Sequence, residues 1–277
     1  MVKLDWHNTD TEECFNKHYK RFPKLFQVYK DNPIEYIFNS DGFRMKFELK
    51  PDKSRKVDIF LGCSHTMGSG HYWENTWPYR VSQHTGNDIV NLAVGGLGPE
   101  SAFYLLAKYF HYFDVQNVFY FQDIVARYDY FDEKQQTHPY SPVWNHEQGK
   151  QPYQNWYIRD VLVDDWYMYY NYYKIINALR GFCSARNVPF WNINEFPYDS
   201  TGYYDAMTTG FFEIESIEEE WYETKGDKVL VARDGTHAPA LHLEIIANKF
   251  IRAMKTFKNG FIQEAPYMEK IFQKISP

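Results

Sequence analysis

The sequence predicts an α/β fold: a three-layer sandwich in which helices cover both faces of a central parallel sheet. Short apolar segments that end in glycine or polar residues, typical of buried parallel strands, alternate with longer segments whose apolar residues recur every three or four positions. Alternation of this kind builds βαβ units and a parallel sheet. Ligands of such sheets bind beyond the carboxyl ends of the strands, and the candidate chemistry of this chain falls at those ends.

The predicted elements follow one another from residue 57 onward. The strand candidates are residues 57–62, 88–94, 117–121 and 188–193. Helices are predicted over about residues 74–84, from residue 99 to about 113, over 160–186 and after His237. The helix over 160–186 rests on spacings of four and three, which put one set of apolar residues on one face: Leu162, Trp166, Tyr169, Tyr173 and Ile176.

The chain of 277 residues fits one large domain with an extension. Residues 1–56 are mixed and polar and are interpreted as an N-terminal extension that packs on the core. Residues 57–258 form the predicted main domain, with an aromatic-rich insertion at about 124–160, and residues 259–277 form a C-terminal tail.

Composition excludes several classes of protein. Apolar residues make up 44% and charged residues 24%, a globular balance, and no run of eighteen apolar residues predicts a membrane span. Residues 1–56 hold 12 Lys+Arg against 9 Asp+Glu, and the remainder holds 18 against 27, which argues against a nucleic-acid or anionic-membrane partner. No signal peptide is visible, and Cys14, Cys63 and Cys183 are expected to be reduced thiols in a cytosol-like compartment.

Aromatic residues are unusually frequent at 19%, with 24 tyrosines and 8 tryptophans. Such side chains line sugar or aryl clefts, but they also fill cores. The insertion concentrates them: Tyr128, Tyr130, Phe131, Tyr140, Trp144, Tyr153, Trp156 and Tyr157. It is interpreted either as a cap whose rings, Tyr128 among them, stack on a substrate or as a loop that packs on itself.

Three separate segments carry candidate chemistry. Residues 61–66 (LGCSHT) place the hydroxyl of Ser64 at a turn after a strand, where helix N–H groups can hold an oxyanion. Residues 91–98 (NLAVGGLG) end the next strand with glycines that let a backbone N–H approach a ligand. A helix cap at Ser64 and a ligand-free tight turn are the structural alternatives.

The third segment, residues 232–239 (ARDGTHAP), precedes the last predicted helix. Asp234 and His237 lie three residues apart across a turn, so the carboxylate can fix the tautomer of the imidazole and stabilise its charged form. Alternatively, Asp234 only opens a turn and His237 is an exposed loop histidine.

In this order, the three segments resemble the blocks of SGNH (GDSL-like) hydrolases, in the branch with a GCSxT nucleophile block and a C-terminal DxxH. Residues 39–44 (NSDGFR) and 74–78 (ENTWP) resemble the branch's NSxGFR and ETWP segments, and the resemblance runs from about residue 36 to 256. It implies the flavodoxin-like SGNH hydrolase fold. It also implies Ser64 as nucleophile, His237 as base, Asp234 as its partner, and the N–H groups of Ser64 and Gly96 as oxyanion donors.

One block departs from the family pattern. The third block normally supplies an asparagine amide to the oxyanion, whereas residues 121–127 (FQDIVAR) contain none. Gln122 carries the same amide on a longer stem and is either a substitute or a structural residue. The implied reaction is acyl transfer without a metal or organic cofactor. Cys63 in place of Ser64 as nucleophile, and Asp234, His237 and His242 as metal ligands, are weaker alternatives.

The leading hypothesis is an esterase that removes acetyl or small acyl groups from a carbohydrate, with His65 and Tyr128 touching the substrate. A carbohydrate-binding or structural protein that keeps the fold without catalysis is the second hypothesis, and an acyltransferase the third. The composition is similar to that of phage-encoded relatives, so the expected location is cytoplasmic or virion-associated.

Overall fold

The fold is known from a computed structural model that describes residues 1–7, 9–122, 128–131, 137–140, 165–194, 231–235 and 237–262. Its strands are β1 (Val2–Leu4), β2 (Tyr36–Phe38), β3 (Asp52–Gly62), β4 (Asp88–Asn91), β5 (Phe113–Gln122), β6 (Tyr128–Phe131), β7 (Thr137–Tyr140), β8 (Phe190–Asn194) and β9 (Gly260–Ile262). Its α-helices are α1 (Glu12–Arg21), α2 (Pro23–Asp31), α3 (Ser64–Met67), α4 (Trp77–Thr85), α5 (Pro99–Tyr109), α6 (Asp165–Ser184) and α7 (Ala240–Thr256). Short 3₁₀ turns cover Trp73–Asn75 and Phe110–Tyr112.

Five strands form the central sheet in the order β4-β3-β5-β8-β9, and every neighbouring pair is parallel. Numbered within the sheet, this order is 2-1-3-4-5, the flavodoxin-like arrangement. The predicted α/β class with a parallel sheet between helices is therefore confirmed.

Alternating side chains of the strands separate two apolar cores. One face packs Ile59, Leu61 and Val118 against α5 and α6. The opposite face packs Phe60 and Phe119 against α4 and α7. Burial on both faces explains why these strands are almost continuously apolar in sequence.

The observed strands differ from the predicted ones at their ends. Strand β3 begins at Asp52 rather than at residue 57, because its first half is charged and largely exposed, with a register shift against β5. The second strand ends at Asn91 rather than 94. The sheet also takes a fifth strand from Gly260–Ile262, within the stretch interpreted as a tail, where three residues are too few to show a periodic pattern.

Residues 1–50 form a compact layer of their own. Strands β1 and β2 pair antiparallel, and α1 and α2 build an aromatic core that includes Phe15, Phe26 and Tyr36. This core also contains Met67 of α3 and Ala93, which follows β4. The N-terminal layer therefore packs against the carboxyl edge of the central sheet, where the candidate site lies.

None of the helices in the described ranges is both long and apolar enough to cross a bilayer. All three cysteines are free thiols, and Cys63 and Cys183 are buried.

Candidate active site

The serine turn, residues 62–71, begins where β3 ends. Gly62 has φ +147°, and a Cβ atom there would collide with the carbonyl oxygen of Phe121 and the hydroxyl of Thr66. Only glycine fits this turn, which leads directly into α3 with Ser64 as its first residue. The Ser64 side chain is at the edge of solvent, since the residue is 6% exposed.

Two backbone amides near this turn are candidates for holding an oxyanion. The amides of Ser64 and Gly96 donate to no backbone oxygen of the described residues. Gly96 adopts a left-handed conformation with φ +85°, which its neighbour Gly98 does not share. The Gly98 amide is committed, because it donates to both carboxylate oxygens of Asp129 at 2.8 and 2.9 Å.

Asn91 ties the two loops together. Its side-chain nitrogen donates to the carbonyl oxygen of Thr66 at 3.0 Å, and its side-chain oxygen accepts from the amide of Ala93 at 3.1 Å. The last residue of β4 therefore fixes the spacing between α3 and the glycine turn. In the described geometry Asn91 supports the backbone of the site.

The Asp–His turn, the described residues 231–235 and 237–239, holds a short hydrogen bond. Nδ1 of His237 lies 2.5 Å from Oδ2 of Asp234, and the His237 amide donates to Oδ1 at 3.2 Å. Asp234 is fully buried, whereas His237 is 9% exposed. With Nδ1 donating to the carboxylate, Nε2 is left as the proton acceptor, as an acid–base pair requires.

The serine turn and the Asp–His turn pack directly on each other. The rings of His65 and His237 meet edge to face with centroids 5.2 Å apart, so the neighbour of Ser64 contacts the candidate base. The amide of Arg233 donates to the carbonyl oxygen of Gly70 at 2.8 Å. Two of the three predicted segments thus converge at the carboxyl edge of the sheet.

Two histidines of the serine turn bracket one residue of the other turn. His65 Nε2 accepts from the amide of Ala238 at 3.5 Å, and His71 Nε2 lies 2.8 Å from its carbonyl oxygen. Complete burial lowers the pKa of His71 to about 3, so the ring is neutral and donates through Nε2. Ala238, directly after His237, is held from both sides.

A buried ion pair from the N-terminal layer supports the Asp–His turn. Nε of Arg233 donates to both carboxylate oxygens of Asp10 at 3.0 Å, and its Nη2 reaches Oδ2 at 2.8 Å. The hydroxyl of Tyr36 donates to the same Asp10 oxygen at 2.5 Å and accepts from the amide of Gly70 at 2.8 Å. Burial raises the pKa of Asp10, and the hydrogen bonds from Arg233 and Tyr36 oppose that rise.

Arg44, from the NSDGFR segment, supports the serine turn from below. Its guanidinium donates to the carbonyl oxygens of Gly68 at 2.5 Å and His71 at 2.9 Å, and it stacks 4.4 Å from the centroid of Tyr36. Burial lowers the pKa of Arg44 to about 10, which still leaves the side chain cationic at neutral pH. The charge satisfies carbonyl groups at the end of α3.

The predicted site residues divide into two groups. Ser64, His65, Asp234 and His237 belong to the two turns that pack together, with Gly96 in the turn after β4. Gln122 ends β5 and Tyr128 begins β6, but their side chains lie outside the described residues. Within the insertion, β6 and β7 form an antiparallel hairpin, and the rest lies outside the described ranges.

Sequence patterns did not reveal Thr9, Asp10 and Tyr36 as neighbours of the site. Their contacts join distant segments and have no periodic signal. Arg44 and His71 were visible only as members of a motif and a loop, with no role attached. For the metal alternative, the described residues contain no group of three potential ligands, and His242 is buried in α7.

No protein-family model matches the chain, and no curated protein matches it. Its structure is similar to a member of the lipolytic G-D-S-L family from Veillonella parvula, with 11% identity, TM-score 0.32 and coverage of 73% of this chain and 100% of that one. It is also similar to a carbohydrate esterase described as having divergent catalytic and non-catalytic binding functions, with 13% identity, TM-score 0.39 and coverage of 81% and 70%. A putative acylhydrolase from Bacteroides fragilis gives 16% identity, TM-score 0.30 and coverage of 75% and 90%. At these identities and TM-scores, function is argued from the geometry of the chain itself.

Proposed function

We propose that the chain is a serine hydrolase of the SGNH type that cleaves ester bonds. The observation that carries the proposal is the 2.5 Å contact between His237 Nδ1 and Asp234 Oδ2, on a turn packed against the helix that Ser64 begins. A buried carboxylate on Nδ1 leaves Nε2 to take a proton, which is the role of the imidazole in acyl transfer.

The proposed reaction has two steps. Ser64 Oγ attacks the ester carbonyl while His237 takes its proton, and His237 then protonates the departing alcohol as the acyl-enzyme forms. Water attacks the acyl-enzyme in the same way and releases the acid and the free serine. The amides of Ser64 and Gly96, with the side chain of Gln122, are proposed to stabilise the oxyanion.

The proposed substrate class is a carbohydrate O-acetyl or small-acyl ester, bound in part by His65 and Tyr128. Support for the sugar comes from the aromatic composition of residues 124–160. His65 lies in the serine turn at the edge of His237, where a group next to the scissile ester would sit. An acetylated oligosaccharide should therefore be a better substrate than p-nitrophenyl acetate.

Hydrolysis of p-nitrophenyl acetate tests the nucleophile. Ser64→Ala should reduce hydrolysis to the uncatalysed background, because no other hydroxyl stands at the start of α3. Cys63→Ala is the matched control: the adjacent thiol is buried and should be dispensable. Hydrolysis that survives Ser64→Ala and disappears in Cys63→Ala would transfer the role to the thiol.

One observation favours a second candidate, a carbohydrate-binding protein without catalysis. The third family block lacks its asparagine, and loss of one oxyanion donor costs about 10²–10³ in rate. A fluorophosphonate probe separates the candidates, because covalent labelling needs an activated hydroxyl. Labelling that requires Ser64 and His237 supports the hydrolase, whereas folded protein that stays unlabelled and binds an oligosaccharide supports the binding protein.

A further inference from the structure

The N-terminal layer places a hydroxyl on the carboxylate of the candidate acid–base pair. Oγ1 of Thr9 donates to Oδ2 of Asp234 at 2.9 Å, across a separation of 225 residues. Oδ2 is the same oxygen that accepts from Nδ1 of His237. Asp234 therefore has two side-chain donors on one oxygen, one from its own turn and one from a remote part of the chain.

Thr9 stands between Asp234 and solvent. Thr9 is exposed, while Asp234 has no exposed surface. The hydroxyl therefore occupies the position from which water would otherwise donate to the carboxylate. Its methyl group covers the carboxylate and makes this donor a fixed one, at lower entropic cost than an ordered water molecule.

The position of Thr9 is set by the residues on either side. His7 and Asp10 exchange backbone hydrogen bonds of 3.0 and 3.1 Å, and the amide of Thr11 donates to the Thr9 carbonyl at 3.0 Å. Asp10 is held in turn by the buried ion pair with Arg233, the residue before Asp234. The tight turn that carries the hydroxyl is thus anchored to the same backbone segment whose carboxylate it contacts.

We propose that Thr9 is a positioning residue of the acid–base pair: its hydroxyl locks the Asp234 carboxylate in the orientation that holds His237. The inference rests on the proposed hydrolase function. Asp234 receives the His237 amide on Oδ1 and two side-chain donors on Oδ2, so rotation of the carboxylate would break all three bonds at once. Removal of the hydroxyl leaves only donors from within the Asp–His turn.

Several other titratable groups surround the pair. They come from α1, the end of α2, the N-terminal turn, the serine turn and the Asp–His turn: His18, Tyr29, Asp10, His65, His71 and Arg233. A substitution confined to the neutral side chain of Thr9 changes none of their charges. A changed pH profile then reports on the hydrogen bond itself.

The test compares three substitutions in the full chain. Thr9→Val keeps the shape and removes the hydroxyl, and Thr9→Ser keeps the hydroxyl. Thr11→Val is the matched control, because the Thr11 hydroxyl caps α1 through the amide of Cys14 at 3.1 Å, away from Asp234. Each variant is measured for kcat and KM on p-nitrophenyl acetate across pH, and for the downfield proton resonance of the His237–Asp234 hydrogen bond, assigned by its loss in Asp234→Asn.

Thr9→Val should lower kcat about tenfold with KM little changed, the effect expected of losing one hydrogen bond to a charged group. The acidic limb of its kcat/KM profile should move to higher pH, because a carboxylate without the hydroxyl donor attracts the imidazole proton more strongly. The downfield resonance should also shift. Thr9→Ser should restore all three, and Thr11→Val should lower thermal stability and change none of them.

Two results overturn the inference: an unmoved downfield resonance in Thr9→Val, or losses in Thr9→Val that Thr11→Val reproduces. The resonance also separates this inference from the proposed function. If wild-type protein shows no Ser64-dependent hydrolysis, the hydrolase proposal fails, while a shifted resonance in Thr9→Val still establishes that Thr9 positions Asp234. Because Thr9 is exposed, folding is checked simply by the thermal midpoint of each variant.

Discussion

The sheet carries a buried aspartate at each of its two ends, and the two have opposite surroundings. Asp234, at the carboxyl edge, faces the imidazole of His237. Asp58, in β3, accepts from neutral donors only among its printed partners: Thr85 at 2.6 Å, Asn87 at 3.0 Å and Asn117 at 2.8 Å. Thr85 and Asn87 stand before β4, so this cluster lies towards the amino edge.

The difference shows how one residue type serves two purposes. Burial raises the pKa of Asp58, and three neutral donors satisfy the side chain without offering a group that exchanges protons. That arrangement joins β3, β5 and the α4–β4 connection. At Asp234 a titratable ring and a surface hydroxyl replace the amides, so the carboxylate can act on a proton carrier.

The sharpest test of the comparison replaces each carboxylate by its amide. Asp234→Asn should lower kcat by about 10⁴-fold, because an amide no longer fixes the His237 tautomer or stabilises its charged form. Asp58→Asn should leave kcat within about twofold. The measurement is p-nitrophenyl acetate hydrolysis by variants with matched circular dichroism spectra. Equal losses in both variants would remove the distinction between the two ends.

The next test concerns the ion pair beneath the Asp–His turn. Asp10→Asn should lower the free energy of unfolding by about 3–5 kcal/mol, because Arg233 is left buried without its counter-charge. Asp88→Asn is the matched control at the amino edge: its pair with Arg55 is exposed and is worth about 1 kcal/mol or less. Urea unfolding measures both. A loss under about 1 kcal/mol in Asp10→Asn would mean that the turn does not depend on the ion pair.

The smallest expected effect is a difference in pH dependence. The folded chain keeps His71 neutral down to about pH 3, whereas the unfolded chain protonates it near 6.5. Stability is therefore lost as the pH falls below 6.5, by about 1.4 kcal/mol for each pH unit. His71→Gln, which retains a donor for the Ala238 carbonyl, should flatten this slope, and His84→Gln on the exposed surface of α4 should not.

Asp58 contributes with the opposite sign. Its pKa is raised by folding, so its contribution is fully present below the unfolded pKa of 3.8 and is lost as the pH rises through the folded value. Unfolding curves of Asp58→Asn and His71→Gln, collected from pH 4 to 7, should thus depart from wild type in opposite directions. Departures in the same direction would contradict the assigned burial of one of them.

Local sequence patterns predicted the central strands and the Asp–His turn because each has a local cause. The continuous apolar run ending at Gly62 reflects burial on two faces, and the spacing of Asp234 and His237 is itself the turn geometry. The charged half of β3 hid its true start, and β9 is too short to show a period.

The supports of the site were beyond sequence reasoning for a different physical reason. Thr9, Asp10 and Tyr36 act on residues about 30 to more than 200 positions away, and nothing in their own neighbourhoods marks the contact. A polar, mixed segment predicts a surface extension, whereas here its polar residues face inward onto the Asp–His turn and the serine turn. Side-chain identity alone gives no distance between remote segments.

The ion pair between Asp10 and Arg233 has a consequence for biosynthesis. Asp10 leaves the ribosome early, and its partner follows 223 residues later. The segment around Thr9 and Asp10 therefore waits through most of translation before it can close onto Arg233 and Asp234. Contacts of such long sequence separation form late in folding, so the nascent chain remains catalytically silent until its first and last portions meet.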